Sequence, residues 1–157
     1  MRGRGMIGLV LVSHGRLAEE FLGALEHVMG PQGAAATVCI GPNDDMEARR
    51  ADIEAAIRAT DGGRGVIVCT DMFGGTPSNL ALAAMGKVTG GAAPGGTGGG
   101  VEVLAGMNLP MLVKLAGVRD RKGVAECAEI GQRAGRDYIK VASVMLGRRG
   151  PSDGGRD

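Results

Sequence analysis

Residues 7–15 read Ile7-Gly8-Leu9-Val10-Leu11-Val12-Ser13-His14-Gly15, an apolar run rich in β-branched side chains that ends in a serine, a histidine and a glycine. A short continuous apolar run bounded by polar residues is the mark of a strand covered on both faces. Ile7 to Val12 is therefore read as a first, central strand. Behind it, Arg16 to Met29 carries Leu17, Phe21, Leu25 and Val28 at helical spacing and stops at Gly30-Pro31, which predicts an amphipathic helix. The cycle then repeats. Ala36 to Ile40 is a second strand, and Gly41-Pro42-Asn43 turns the chain into a helix ending near Thr60, with Asp44 and Glu47 as its capping pair. Gly65 to Thr70 is a third strand, Gly74-Gly75 a turn, and Thr76-Pro77 the start of a third helix, with Thr76 as N-cap. Val101 to Ala105 is a fourth strand, Asn108 caps a helix from Leu109-Pro110, and Asp120 caps another running through Ala134. Strands alternating with helices predict an α/β fold, an open and mostly parallel sheet with helices on both faces.

A chain of 157 residues supports one domain with one buried core. That domain is expected over residues 1–146, with residues 147–157 as a polar, Gly-rich, disordered tail. Residues 89–100, TGGAAPGGTGGG, are too rich in glycine to bury apolar surface and are read as a flexible loop. They lack the Gly-Lys-Ser/Thr ending of a P-loop, and the G-x-G-x-x-G match at Gly3 to Gly8 precedes a strand instead of following one. With 18 basic and 17 acidic side chains, the net charge of +1 gives no footprint for nucleic acid or an anionic membrane. No apolar run spans a bilayer and Met1 to Arg4 introduces no cleavable leader, so membrane insertion is not expected and the cytoplasm is the expected compartment. Cys39, Cys69 and Cys127 lie in apolar segments without metal-type spacing, so they read as reduced core thiols, with neither metal nor cofactor expected.

Reactive groups in open parallel sheets collect beyond the carboxyl ends of the strands. Those ends deliver Ser13-His14-Gly15, Asp71-Met72-Phe73-Gly74-Gly75-Thr76 and Gly106-Met107-Asn108. An imidazole can attack phosphorus only if one nitrogen offers a lone pair while the other holds the proton against an acceptor, and Asp71 can be that acceptor for His14. The helix start at Thr76-Pro77 aims unsatisfied N–H groups and a positive dipole end at such a charge, while Gly15, Gly74 and Gly75 allow close backbone approach. Taken singly, Asp71 reads as a turn residue and Thr76 as a plain cap. His27, on the polar face of its helix with Glu20 and Glu26, is an ordinary surface histidine. Leu11 to Gly15 lacks the first glycine of the G-x-S-x-G elbow, against a serine nucleophile.

The segments Leu9 to Gly15, Asp71 to Asn79 and Glu102 to Val113 together resemble the enzyme IIA domain of the mannose family of the bacterial sugar phosphotransferase system, over roughly Met6 to Ser143. The resemblance implies a phosphoryl carrier in which His14 accepts phosphate from the carrier protein HPr, Asp71 orients its ring, and a IIB component is the next acceptor, on a separate protein since no IIB domain follows here. It also implies a homodimer in which an antiparallel edge strand near the C-terminus, around Tyr138 to Ser143, is exchanged between subunits. Met72 departs from the family, where that position is often hydroxylated, which leaves Thr76 and backbone donors for the phosphate. The alternative reading is a flavodoxin-like module binding a nucleotide or flavin at the same strand ends. One Tyr, two Phe and no Trp argue against it, because flavins stack on flat side chains.

Overall fold

The computed structural model describes residues 5–89 and 99–147. Its elements, in chain order, are β1 (Gly8–His14), α1 (Leu17–Met29), β2 (Ala35–Ile40), α2 (Met46–Thr60), β3 (Val66–Thr70), α3 (Thr76–Thr89), β4 (Val101–Ala105), α4 (Leu109–Val118), α5 (Val124–Asp137) and α6 (Ala142–Met145). The strands form one four-stranded sheet in the order β2-β1-β3-β4. Every pairing in it is parallel, with Val12 beside Val38 on one side and beside Thr70 on the other.

Alternation along the central strands builds two cores. Leu9, Leu11, Ile67 and Cys69 point to one face and pack with Ala18 and Leu25 of α1, Met111, Leu112 and Leu115 of α4, and Cys127 of α5. Val10, Val12, Val66 and Val68 point to the other and meet Ile53 and Ile57 of α2 and Ala81 and Ala84 of α3. The sheet is thus covered on both faces, as its uninterrupted apolar strands require.

Two close contacts fix the end of the sheet away from His14. A Cβ on Gly8 would lie 2.6 Å from the Thr60 carbonyl oxygen, so the strand can pass the end of α2 only as glycine. This explains Gly8 without any role in binding a dinucleotide. Arg119, buried at the end of α4, donates to the carbonyls of Ile7 at 2.9 Å and Ala34 at 3.1 Å, to Gly33 O, and to Gln32 Oε1 at 3.0 Å. One guanidinium thereby ties α4 to the starts of β1 and β2.

Several local expectations are corrected. α2 is capped by Asp45, whose side chain accepts from Glu47 and Ala48 N–H; Asp44 instead accepts from Gly41 N–H at 2.8 Å, which closes the preceding turn. α5 starts at Val124 with Gly123 as its cap, because Arg121 and Lys122 N–H both turn back onto the Val118 carbonyl. Asp120 lies in that turn and is not the cap. The antiparallel edge strand expected at Tyr138 to Ser143 is absent from the sheet. α5 runs on to Asp137, Tyr138 and Ile139 N–H are used by the carbonyls of Ala134 and Arg136, and residues 142–145 close a short helix. With its first amides taken by the helix end, the segment enters no ladder among the described residues. Of the loop expected at 89–100, residues 90–98 lie outside the described residues, as does the tail from residue 148.

Candidate functional site

The strand order reverses between β1 and β3: β2 lies on one side of β1, and β3 and β4 on the other. The crevice beyond the carboxyl ends of β1 and β3 is the position where such sheets place ligands. His14 is the last residue of β1, and Asp71 directly follows β3.

Fifty-seven residues apart in sequence, the two meet. Asp71 Oδ2 accepts from the His14 backbone N–H at 3.0 Å and lies 2.8 Å from His14 Nδ1, while Oδ1 accepts from Met72 N–H at 3.0 Å. The imidazole is 49% exposed and the carboxylate only 12%. Burial pushes the Asp71 carboxyl up, but the His14 N–H, the His14 ring and the Met72 N–H together outweigh it and hold the group below its ordinary value. An ionised carboxylate only accepts, so Nδ1 carries the proton and Nε2 presents the lone pair.

The other edge of the ring lies on the start of α3. A Cβ on Gly75 would sit 2.9 Å from His14 Cε1 and 3.4 Å from Nε2, so glycine leaves the space the imidazole fills. Asn79 N–H donates to the Gly75 carbonyl, which puts Gly75 at the cap position and Thr76 in the first turn. Thr76 is thus one residue inside the position expected of it. Among the described residues nothing accepts from the N–H groups of Gly74, Gly75 or Thr76. They are the orphan donors of a helix N-terminus. Gly74, at φ +82°, makes the turn that brings them there. Gly15, at φ +54°, gives its N–H to the Ile40 carbonyl at 2.8 Å. A side chain there would touch nothing within 4 Å, so its contribution beside His14 is the left-handed turn that its φ allows and not a free donor.

Sequence reasoning did not foresee two further members. Ser13 is fully buried; its Oγ accepts from Ala18 N–H at 2.7 Å and donates to the Gly15 carbonyl at 3.2 Å, which locks the strand end that carries His14 onto the first turn of α1. Burial and these bonds also remove it as a nucleophile. Asp44 lines, with His14, Gly15, Ile40, Gly41, Pro42, Met46 and Thr76, a cleft of about 500 Å³. Its distance from His14 in sequence gave no sign of this. No aromatic side chain lines that cleft, so a stacked ring would find no flat partner there. Cys69 is a core thiol, pushed up to about 12 by burial, and His27 ends α1 away from these groups.

Fold and site define a class: an open α/β domain that presents one carboxylate-oriented imidazole at a helix N-terminus. The chain belongs to the mannose-type family of phosphotransferase-system IIA components; the family model described as "PTS system fructose IIA component" matches residues 8–131. It is similar to the mannose/sorbose specific IIA subunit of the phosphotransferase system from Enterococcus faecalis, with 31% identity, 87% of this chain and 94% of that one covered, and a TM-score of 0.70. The IIA protein associated with the fucose utilization operon of Streptococcus pneumoniae is 25% identical, with 91% and 98% covered and a TM-score of 0.74. The mannose-specific EIIAB component of Escherichia coli K12 is 27% identical over 136 residues, which are 86% of this chain and 39% of that protein. The chain thus spans about two fifths of the length of the curated relatives it matches. No helix among the described residues is long and apolar enough to cross a membrane.

Proposed function

We propose that the chain is a cytoplasmic phosphoryl carrier: His14 takes a phosphoryl group from HPr on Nε2 and passes it to a IIB component or a regulatory target. The 2.8 Å contact between Asp71 Oδ2 and His14 Nδ1 carries this reading, since it leaves Nε2 as the nucleophile beside the free donors of α3. As the lone pair of Nε2 forms the bond to phosphorus, the bond from phosphorus to the donor breaks. The ring keeps its proton on Nδ1 and becomes cationic, and the Asp71 carboxylate balances that charge. The phosphoryl oxygens meet the N–H groups of Gly74, Gly75 and Thr76 and the positive end of the α3 dipole. These preorganised donors stabilise charge in both directions of transfer, as a carrier requires. Met72 offers no hydroxyl, and of the two hydroxyls in the first turn of α3 the Ser78 group is buried while Thr76 is exposed, so Thr76 is the one open to a phosphoryl group.

Incubation with phosphoenolpyruvate, enzyme I and HPr, followed by intact mass measurement, tests the reading. One acid-labile, alkali-stable phosphoryl group should appear, persist in His27→Ala and vanish in His14→Ala. Label retained on the His14→Ala protein would refute the assignment.

We infer a homodimer as the working unit. The C-terminal segment leaves Tyr138, Ile139, Val141, Val144, Met145 and Leu146 exposed, an apolar stretch that a second copy would cover. Tyr138 also borders a mainly apolar cleft of about 440 Å³ with Val28, Leu109, Pro110 and Val113. A monomer by light scattering at micromolar concentration would contradict this.

A further inference from the structure

The chain holds two Phe, one Tyr and no Trp, and it places its aromatic side chains unevenly. Phe21 packs against the core, whereas Phe73, in the turn between Asp71 and α3, is 78% exposed. Its neighbour Met72 is 55% exposed and reaches back to the site, its Cγ lying 3.4 Å from the same Gly75 Cβ position that would contact the His14 ring. Leu17 at the start of α1, three residues after His14, is 49% exposed. Pro42 and Met46 line the cleft that opens beside it. Three strand-to-helix connections thus present apolar side chains at the end of the sheet that carries His14, although none of these groups takes part in the chemistry at Nε2.

The charge on this rim is one-sided. Asp44 and Asp45 accept only backbone N–H groups and form no ion pair among the described residues, and Arg16 is taken by Glu19 at 3.3 Å. Resting on the carrier reading above, we propose that Phe73, with Met72 and Leu17, is the docking anchor for the phosphoryl donor protein, which meets it with an apolar patch bordered by basic side chains facing Asp44 and Asp45. Reaction geometry supports this occupant. A donor must bring phosphorus to within bonding approach of Nε2, and a protein surface that does so unavoidably lands on the turn that holds Phe73. A large exposed aromatic at the centre of a forced contact has the character of an interface hot spot.

The test separates docking from chemistry by using two donors. Phosphoramidate is small enough to reach Nε2 without a docking face: the bond from Nε2 to phosphorus forms as its own P–N bond breaks and ammonia leaves with a proton. Phosphorylated HPr is the protein donor. Phe73→Ala should lower kcat/KM with phosphorylated HPr by about tenfold to hundredfold, the range of an interface hot spot, while labelling by phosphoramidate stays within about twofold of wild type. Phe73→Leu should recover most of the loss. Unchanged transfer from HPr, or equal losses with both donors, would overturn the docking role, the second because Phe73 would then act on the histidine itself. Wild-type protein that accepts phosphate from phosphoramidate but never from HPr would instead overturn the carrier reading, and this inference with it.

Discussion

Substituting Gly75 by alanine probes how His14 is seated more sharply than removing the histidine does. The new Cβ would fall 2.9 Å from His14 Cε1 and 3.4 Å from both His14 Nε2 and Met72 Cγ. Ordinary carbon contacts lie at about 3.5–4.0 Å, so the ring must retreat by roughly 0.6–1 Å. It cannot do so freely, because its other edge is held by Asp71 at 2.8 Å. A shift of that size takes the bond out of the charge-assisted range of about 2.7–2.9 Å and turns Nε2 away from the N–H groups of Gly74 and Thr76. A misplacement near 1 Å costs about a hundredfold in rate, and the expected loss in phosphotransfer is about tenfold to hundredfold, or about 1.4–2.7 kcal/mol. The imidazole is half exposed and no core side chain must repack around it, so stability should change by only about 1 kcal/mol. Rapid-quench transfer from phosphorylated HPr measures the rate, and thermal unfolding monitors the fold. Transfer within twofold of wild type in a folded variant would refute the argument that the imidazole lies against Gly75.

Asp71→Asn should preserve the fold yet slow transfer in both directions by at least about tenfold, because an amide oxygen neither balances a cationic ring nor fixes its tautomer as firmly; equal rates would reduce Asp71 to a turn residue. The lowered Asp71 value also has a pH signature. The unfolded carboxyl takes up its proton near the ordinary 3.8 and the folded one only below it, so its stabilising contribution is complete above that value and is lost as pH falls through the folded value. The stability difference between wild type and Asp71→Asn should be flat at neutral pH and shrink only in that acid window, and a difference that grows there would reverse the sign. Arg119→Ala removes four hydrogen bonds, one buried and three part-buried, at the far end of the sheet and should cost about 3 kcal/mol in chemical denaturation. It should leave His14 labelling intact under conditions where the variant is folded.

The strands and the parallel sheet were legible because burial on both faces leaves no polar residue inside Leu9 to Val12 or Val66 to Cys69. The end of the first strand was not. Ser13 and His14 continue the ladder beside Cys39 and Ile40, but their polarity imitates a strand end because the Ser13 hydroxyl is satisfied by the next helix. Helix starts failed where neighbouring residues compete: Asp44 and Asp45 are chemically equivalent caps, and only the pull of Gly41 N–H on Asp44 decides between them. The alternation of Ile139 and Val141 suits a strand, yet α5 continues past Ala134 and consumes the amides that follow. At the site, the pairing of His14 with Asp71 was legible from the rule that parallel sheets gather chemistry at their strand ends, together with the family resemblance. The seat of the ring on Gly75 and the entry of Asp44 into the cleft depend on distances that no sequence pattern carries.

The central claim is that Asp71 holds the proton of Nδ1 so that Nε2 of His14 bears the phosphoryl group. Phosphorus and nitrogen NMR on the protein phosphorylated by HPr tests it most directly. The account predicts phosphorus coupled to Nε2 of His14, with the Nδ1 proton retained and shifted by its bond to Asp71. Phosphorus on Nδ1, or on any other residue, would contradict it.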